Sequence, residues 1–425
     1  MLAVKNYMAS DSLQAPRTLI VGLGATGFSC ARFLVRQGVE VAVTDSREQP
    51  PALTDMQREL PDVALFVGGF DSDAFARAQR IVVSPGVSLR EPLLVDAQKR
   101  GIEVIGDIEL FARSATAPVV GITGSNGKST VTTLLGAMAS YAGRKVRVGG
   151  NLGTPALELL DDQEPDLYVL ELSSFQLESV HSLRCAAATV LNVSPDHLDR
   201  YDSLDSYMSA KQRIYSGAGV QVVNRDDPLA LALATARGLT IGFGLHPPEG
   251  LDFGVEDAFD GTWIVKGGDR WLPVEKVRMP GRHNLANALA ALALGDAVGL
   301  PRQAMLHVLS EFRGLPHRTQ WVAEHRGVCW FNDSKATNIG AALAAIQGLK
   351  GPLVLIAGGQ AKGADFAELA AGMGEQVKAV VLLGEAAGDI ERALGGSVEI
   401  RRAKTMREAV RRAAELAVAG DSVLL

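Results

Sequence analysis

PVVGITGSNGKSTVTTLLGAMASYAG, residues 118–143, decides the fold. The apolar run 118–123 reads as a strand, Gly-Ser-Asn-Gly at 124–127 as a tight turn, and Lys128 as the opening of a helix. Such a turn aims backbone N–H groups inward, and the helix N-terminus adds roughly half a positive charge. Lys128 supplies a point charge for outer phosphates, and the Ser129 hydroxyl is placed to ligate Mg²⁺. The expected phosphate contacts are Gly124, Ser125, Asn126, Gly127, Lys128, Ser129 and Thr130. Strict phosphate-loop spacing puts a glycine where Ile122 stands. Here the glycines are at 121 and 124, so the loop is a variant. A plain Gly/Ser turn is the bland alternative, and Gly-Lys-Ser-Thr at the join argues against it.

Toward the N-terminus lies a second glycine loop. Residues 18–21 read as a strand, Gly-Leu-Gly-Ala-Thr-Gly at 22–27 follows, then a helix over about 28–37 and a strand over 39–44 closed by Asp45. Strand, glycines, helix, strand and acid fall in the order of a nucleotide-binding unit. The loop would take NAD(P) or another phosphate-bearing nucleotide; glycines that serve only helix–strand packing are the bland reading. Runs 80–84 and 101–105 read as further strands. Ser84-Pro85-Gly86 then lines the second side of the same crevice, because open α/β sheets bind ligands at strand C-termini. Two phosphate loops in one chain argue against a simple dehydrogenase.

The chain has 425 residues, enough for two or three domains, and is 47% hydrophobic with few aromatics. That suits parallel strands covered by helices. Lys plus Arg is 42 and Asp plus Glu is 48, a net charge of −6. A net acidic chain is a poor non-specific nucleic-acid binder. The three cysteines, Cys30, Cys185 and Cys329, are far apart and lie in apolar runs, as expected for free thiols rather than disulfides or zinc ligands. No signal-peptide core opens the chain, and no run of about 18 apolar residues occurs. The expectation is a cytoplasmic protein without membrane insertion.

Past the phosphate loop, residues 166–170 read as a strand ending in Glu171, where an acid can hold a nucleotide's metal or cap a helix. Residues 189–193 form the next strand, running into Asn-Val-Ser-Pro-Asp196-His197-Leu-Asp199. A lone histidine there is ordinarily structural. Lys211, in SYMSAKQRIYSGA, reads by periodicity as a solvated helix lysine. Asn284 and Asn287 share a face at the start of an Ala/Leu helix, where capping by His283 or Asn284 is the plain alternative. Gly314-Leu-Pro-His-Arg318 reads as an interdomain hinge. Residues 328–331 form a strand, followed by Asn-Asp-Ser-Lys-Ala-Thr-Asn at 332–338 and a helix from about Ile339. Strands at 352–357, 377–383 and 422–425 continue the alternation.

Gly-Ile-Thr-Gly-Ser-Asn-Gly-Lys-Ser-Thr (121–130), Glu171-Leu-Ser-Ser-Phe-Gln-Leu-Glu and Asn-Asp-Ser-Lys-Ala-Thr-Asn together resemble the Mur ligase family. The first of these also resembles folylpolyglutamate synthetases. The resemblance covers nearly the whole chain. It implies an α/β fold in three domains: a Rossmann-like UDP-binding domain at 1–108, a P-loop ATPase-type α/β domain at 109–314, and a Rossmann-like α/β domain at 315–425. Thr-Asp-Ser-Arg (44–47) belongs to it, and by it Ala25, Thr26, Asp45, Ser46, Arg47, Ser84 and Asn151 would line the UDP-sugar site.

The same resemblance makes Ser129, Glu171, His197 and a carbamylated Lys211 the ligands of two Mg²⁺ ions, with His197 also touching substrate phosphate. Asp196 and Asp199 would support them. Asn284, Asn287, Arg318 and Asp333 would contact ATP. Lys335 would hold the phosphorylated end, and Thr337 and Lys362 would bind D-glutamate. Segment 332–338 resembles the D-glutamate-adding members; others carry His or Asn at the place of Lys335. The implied substrates are UDP-N-acetylmuramoyl-L-alanine, D-glutamate and ATP, joined through an acyl phosphate by Lys128, His197, Lys211 and Lys335, in a monomer. In the family, a loop with a Ser and a Phe that completes the amino-acid pocket, and a last helix, follow the strand at which this chain ends. The rivals are a nicotinamide oxidoreductase resting on residues 22–27, a non-catalytic ATP-gated module, and a Mur ligase for another amino acid.

Overall fold

The computed structural model describes residues 17–425 except 162, 198–199, 237, 350 and 362–363. Thr18–Val21 and Val41–Asp45 are buried at every position, as strands covered by helices on both faces must be. They belong to a five-stranded sheet in the spatial order Ala64–Val67, Val41–Asp45, Thr18–Val21, Arg80–Val83, Glu103–Ile105, parallel throughout. The order turns at Thr18–Val21 and Arg80–Val83, which opens a crevice beyond their C-terminal ends. The first helix, Ala25–Arg36, starts inside the glycine loop, three residues earlier than expected. Gly27 makes this possible: a Cβ there would lie 1.9 Å from the Gly22 carbonyl oxygen.

The second sheet has nine strands. Its parallel part runs Leu239–Phe243, Val220–Asn224, Ala187–Val190, Val119–Thr123, Leu167–Glu171, Val146–Gly150. An antiparallel meander, Phe253–Ala258, Gly261–Lys266 and Asp269–Pro273, extends its other edge. Val119–Thr123 sits inside this sheet, so the glycine turn after it emerges among neighbouring strand ends. The third sheet has six strands in the order Gln320–His325, Val328–Asn332, Ser422–Leu424, Leu353–Gly358, Val377–Leu383, Glu399–Arg402. Only its first strand is antiparallel to its neighbour.

The first two units share a core. One apolar cluster runs from Ile20 and Leu34 through Ile108 and Phe111 to Leu170, Tyr207 and Ile214. The joint is also tied by polar contacts. Glu109 accepts from the His181 and Ser182 N–H groups at 2.7 and 2.9 Å and pairs with Arg113. The third unit has clusters of its own around Ile346 and Val380 and around Val354 and Val381. Cys30 and Cys185 are buried free thiols; Cys329 is free but half-buried. Among the described residues no helix is long and apolar enough to cross a membrane.

Candidate functional site

The glycine turn is held in place before any ligand is considered. Gly127 caps the helix Lys128–Tyr141 at φ 83°, a left-handed conformation that favours glycine. A Cβ there would meet the Asn287 side-chain oxygen at 2.3 Å. Asn192 grips the Asn126 peptide from both sides: its Oδ1 accepts the Asn126 N–H at 2.8 Å and its Nδ2 donates to the Asn126 carbonyl at 3.0 Å. The Ser125 hydroxyl lies 3.1 Å from Tyr207 Oη, donates to the Ser194 carbonyl and accepts the Ser194 N–H. Ser125 therefore shapes the loop with its side chain. Lys128 Nζ donates to the Gly124 and Ser125 carbonyls at 2.8 and 2.9 Å.

Lys211 overturns its reading as a solvated lysine. It is 1% exposed, and its Nζ donates to the Gly124 carbonyl at 2.9 Å and sits 4.4 Å from the Tyr207 ring centroid. Periodicity failed because the helix Leu204–Gln212 turns this residue into the phosphate loop rather than to water. Burial, with Lys128 beside it, holds the amine well below the usual lysine range; Asp196 pulls weakly the other way. Burial lowers Lys128 as well, against the attraction of Glu171 and Asp196.

Glu171, at the end of Leu167–Glu171, is 3% exposed. Its Oε1 accepts from Asn151 Nδ2 at 2.7 Å, while its buried Oε2 has no hydrogen-bond partner among the described residues. It caps no helix; Ser173 caps the next one. Asn151 thus reaches the metal-candidate carboxylate. His197 adopts φ 56°, is about half exposed at 47%, and packs 4.8 Å from the Phe175 ring. Its Nε2 is 3.8 Å from Asp196 Oδ2. Asp199 lies outside the described residues. No group of three His, Cys, Asp or Glu side chains that could hold a metal ion occurs among the described residues. A hard cation would have to take Glu171 with the Ser129 hydroxyl and any further anion.

The third unit faces this loop. Arg318 Nη2 donates to Ser129 Oγ at 3.2 Å, across 189 positions of sequence. A cleft of about 290 Å³ lies between the two units, lined by Asn126, Thr130, Asn284, Asn287, Arg318 and Asp333 among others. Asn284 and Asn287 are buried: Asn284 Nδ2 donates to the Pro280 carbonyl at 2.7 Å and Asn287 Nδ2 to Asn284 Oδ1 at 3.3 Å. The capping alternative is not seen, since Gly281 starts that helix without a side-chain cap. Burial raises the Asp333 carboxyl to about 6, while the Thr319 N–H and Arg318 act to lower it. Lys335 and Thr337 are exposed on the same loop. Lys362 lies outside the described residues.

In the first unit, Ala25 and Thr26 form the first turn of Ala25–Arg36. Asp45 is 2% exposed and its carboxylate is already occupied. Oδ2 accepts the Leu23 N–H at 2.6 Å, and Oδ1 accepts the Arg47 N–H and Nε at 2.9 and 2.8 Å. It acts by fixing the loop and aiming Arg47. Ser46 and Arg47 stay exposed. The Ser84 hydroxyl donates to the Gly22 carbonyl at 2.8 Å across the crevice.

Sequence reasoning missed several residues of the site. Asn192, Tyr207, His283 and Thr319 are all near the loop or cleft, yet each is an ordinary polar residue in its local pattern. Arg200 was missed as well. It donates to the Pro85 and Val87 carbonyls of the first unit at 2.7 and 3.0 Å and stacks 4.3 Å over Phe175. Its place right after Asp196-His197-Leu-Asp was the only local signal.

Residues 16–106 match the family model for the Mur ligase MurD-like N-terminal domain. Residues 122–295 match the Mur ligase middle domain and 317–425 the Mur ligase glutamate ligase domain. The chain is 53% identical over 423 residues to a UDP-N-acetylmuramoylalanine–D-glutamate ligase of Nitrosococcus oceani, covering 98% of this chain and 93% of that one. It is 53% identical over 424 residues to the protein of the same description in Pseudomonas aeruginosa, covering 99% and 94%. Among solved structures, UDP-N-acetylmuramate-alanine ligase from Thermotoga maritima superposes with a TM-score of 0.61 at 20% identity, over 96% of this chain and 95% of that one. A pseudomurein peptide ligase from Methanothermus fervidus gives 0.59 at 20% identity, over 96% of each. These two show the shared three-unit fold.

Proposed function

The chain belongs to the Mur ligase family, and from that premise we propose that it joins the carboxylate of UDP-N-acetylmuramoyl-L-alanine to the amine of D-glutamate. ATP drives the reaction, and the products are the UDP-linked L-alanyl-D-glutamate conjugate, ADP and phosphate, in cytoplasmic peptidoglycan precursor synthesis. The observation that carries this reading is the Arg318–Ser129 contact. It sets the third unit's 332–338 loop against the phosphate loop, as a reaction between an ATP-activated acyl group and a separately bound amine requires.

A carboxylate does not condense with an amine in water without activation. The substrate carboxylate oxygen attacks the γ-phosphorus, the bond to ADP breaks, and an acyl phosphate forms. The D-glutamate nitrogen then attacks the acyl carbon, a tetrahedral intermediate collapses, phosphate leaves, and the nitrogen gives up its proton. Phosphoryl transfer is mainly positioning and charge neutralisation. Residues 124–130 cradle the phosphates, with Lys128 moving from the loop carbonyls onto phosphate oxygens. Asn284, Asn287, Arg318 and Asp333 bind the nucleotide along the cleft. Lys335 holds the phosphorylated end, and Thr337 and Lys362 take the D-glutamate carboxylates. Ala25, Thr26, Ser46 and Arg47 bind the UDP moiety, with Asp45 and Ser84 shaping their loop; Asn151 steadies Glu171.

Mg²⁺ fits this donor set, because Glu171 Oε2 is a buried, unpartnered carboxylate oxygen and oxygen ligands suit it. Bound there, Mg²⁺ would neutralise phosphate charge. Ser129, Glu171, His197 and Lys211 would hold two ions, with Lys211 as a carbamate. A neutral Nζ attacks CO₂, a nitrogen–carbon bond forms and one amine proton leaves to solvent, which turns a neutral amine into an anionic carbamate. The depressed basicity of Lys211 supports that chemistry. The enzyme would act as a monomer, with no nucleic-acid partner.

The test is phosphate release from ATP with UDP-N-acetylmuramoyl-L-alanine, adding D-glutamate, L-glutamate or L-alanine in turn. Stimulation by D-glutamate alone is expected. Stimulation by L-alanine, or by none of the three, would overturn the assignment.

A further inference from the structure

Asn338 is the last residue of the 332–338 loop and has no place in the chemistry above. Its amide nevertheless spans the seam between the second and third units. Asn126 Nδ2 donates to Asn338 Oδ1 at 3.3 Å, and Asn338 Nδ2 donates back to Asn126 Oδ1 at 3.1 Å. The same Nδ2 donates to Asp196 Oδ2 at 3.3 Å, and Oδ1 accepts the Ala341 N–H at 2.8 Å. One side chain therefore touches the phosphate loop, the acid beside His197, and the helix Ile339–Gly348 that it caps. Only a carboxamide has two donors and a two-lone-pair acceptor on one short stem. Aspartate or serine would serve the cap alone.

The helix behind it is docked closely. A Cβ on Gly348 would lie 3.1 Å from Gly281 Cα, and one on Gly340 would lie 3.3 Å from Ser194 Oγ. His283 Nδ1 is 3.1 Å from the Ala344 carbonyl. This face thus lies along the start of helix Arg282–Ala297, and Asn338 marks its end nearest the glycine loop, through Asn126.

We propose that Asn338 is a positioning residue that registers the third unit's ligand loop against the phosphate loop and the Asp196–His197 turn, so that Lys335 meets the activated carboxylate, and Thr337 the D-glutamate, in one fixed geometry. It acts through Asn126 and Asp196 and touches no reacting atom. The proposal rests on reading the site as an ATP-dependent ligase, which requires both units to meet at one acyl group.

The test compares the full chain with Asn338→Ser and Asn338→Asp. Both keep a helix-capping oxygen, so both should melt with the unsubstituted chain. Asn338→Ser should lower kcat about tenfold or more and raise the KM for D-glutamate, with UDP-sugar affinity unchanged. Asn338→Asp should do worse, because it sets a second carboxylate beside Asp196. Small-angle scattering with a non-hydrolysable ATP analogue should show both variants more extended than the unsubstituted chain. Unchanged kinetics and unchanged scattering in Asn338→Ser would overturn the proposal, as would a loss traced to a lowered melting temperature. Absence of D-glutamate-dependent phosphate release from the unsubstituted chain would sink the ligase reading instead; scattering would still decide the role of Asn338.

Discussion

Lys128 and Lys211 share one acceptor, the Gly124 carbonyl, at 2.8 and 2.9 Å. They reach it from two helices, Lys128–Tyr141 and Leu204–Gln212. Two ammonium groups on one buried oxygen repel each other, and burial disfavours charge on either. Lys211 gives way further, because it is almost wholly enclosed and faces Lys128. Of the two amines, Lys211 is thus the one whose basicity burial depresses further.

Lys211→Met tests that division. A lysine depressed in the folded state binds fewer protons folded than unfolded between its folded value and the ordinary 10.5. Stability then rises with pH through that window, and the cost is greatest below it. Urea titrations in CO₂-free buffer should show the unsubstituted chain gaining on Lys211→Met as pH rises from about 7 to about 10. A constant difference would mean that Lys211 titrates normally.

Lys128→Ala and Lys335→Ala should each lower turnover by about 100-fold or more, the usual scale for losing a preorganised charge at a reacting phosphate. Isothermal titration should show UDP-sugar binding intact in both, since neither lysine belongs to the proposed UDP-sugar site. Near-normal turnover in either variant would remove that lysine from the mechanism.

Glu171→Gln removes the carboxylate charge but leaves an oxygen for Asn151. Because Oε2 has no partner, the melting temperature should hold or rise. The Mg²⁺ concentration needed for half-maximal phosphate release should increase about tenfold or more. An unchanged Mg²⁺ requirement would show that the orphaned oxygen serves something else.

Asp107 and Glu109 stand two residues apart on one helix and titrate in opposite directions. Burial raises Asp107 to about 6 despite the Gln176 amide. Burial also acts to raise Glu109, but the Ser182 and His181 N–H groups, Arg113 and the Ser182 hydroxyl overcome it and hold it to about 2. Glu109 thus stabilises the fold above its ordinary 4.5, and that contribution fades as pH falls toward 2. Asp107 costs stability above about 6, and that cost disappears below 3.8. Thermal melts at neutral pH should show Glu109→Gln destabilised and Asp107→Asn stabilised, each by up to about 3 kcal/mol. Both differences should shrink in acid, and a shared sign would contradict the structure.

The alternation of strands and helices, both glycine loops and the strand–turn–helix of residues 119–141 were legible in the chain. Each rests on local rules: apolar runs between turns, glycine where the backbone bends sharply, and Lys-Ser at a helix start. The antiparallel meander from Phe253 to Pro273 was not recognised, because short strands at a sheet edge carry weak patterns. The bond from the Asn151 amide to Glu171 was not legible either, because the two residues lie 20 positions apart.

Sequence alone therefore determined the fold class, the order of the three units and the phosphate loop, because helix, strand and turn preferences act over a few neighbouring residues. Tertiary structure alone decided the surroundings of each functional group. Lys211 is buried by a carbonyl 87 positions away, and Asn338 pairs with an amide 212 positions away. Desolvation and hydrogen-bond partnership depend on what the chain brings back through space. The same lysine would be a solvated side chain on an isolated helix and is 1% exposed, with its basicity depressed, behind the phosphate loop.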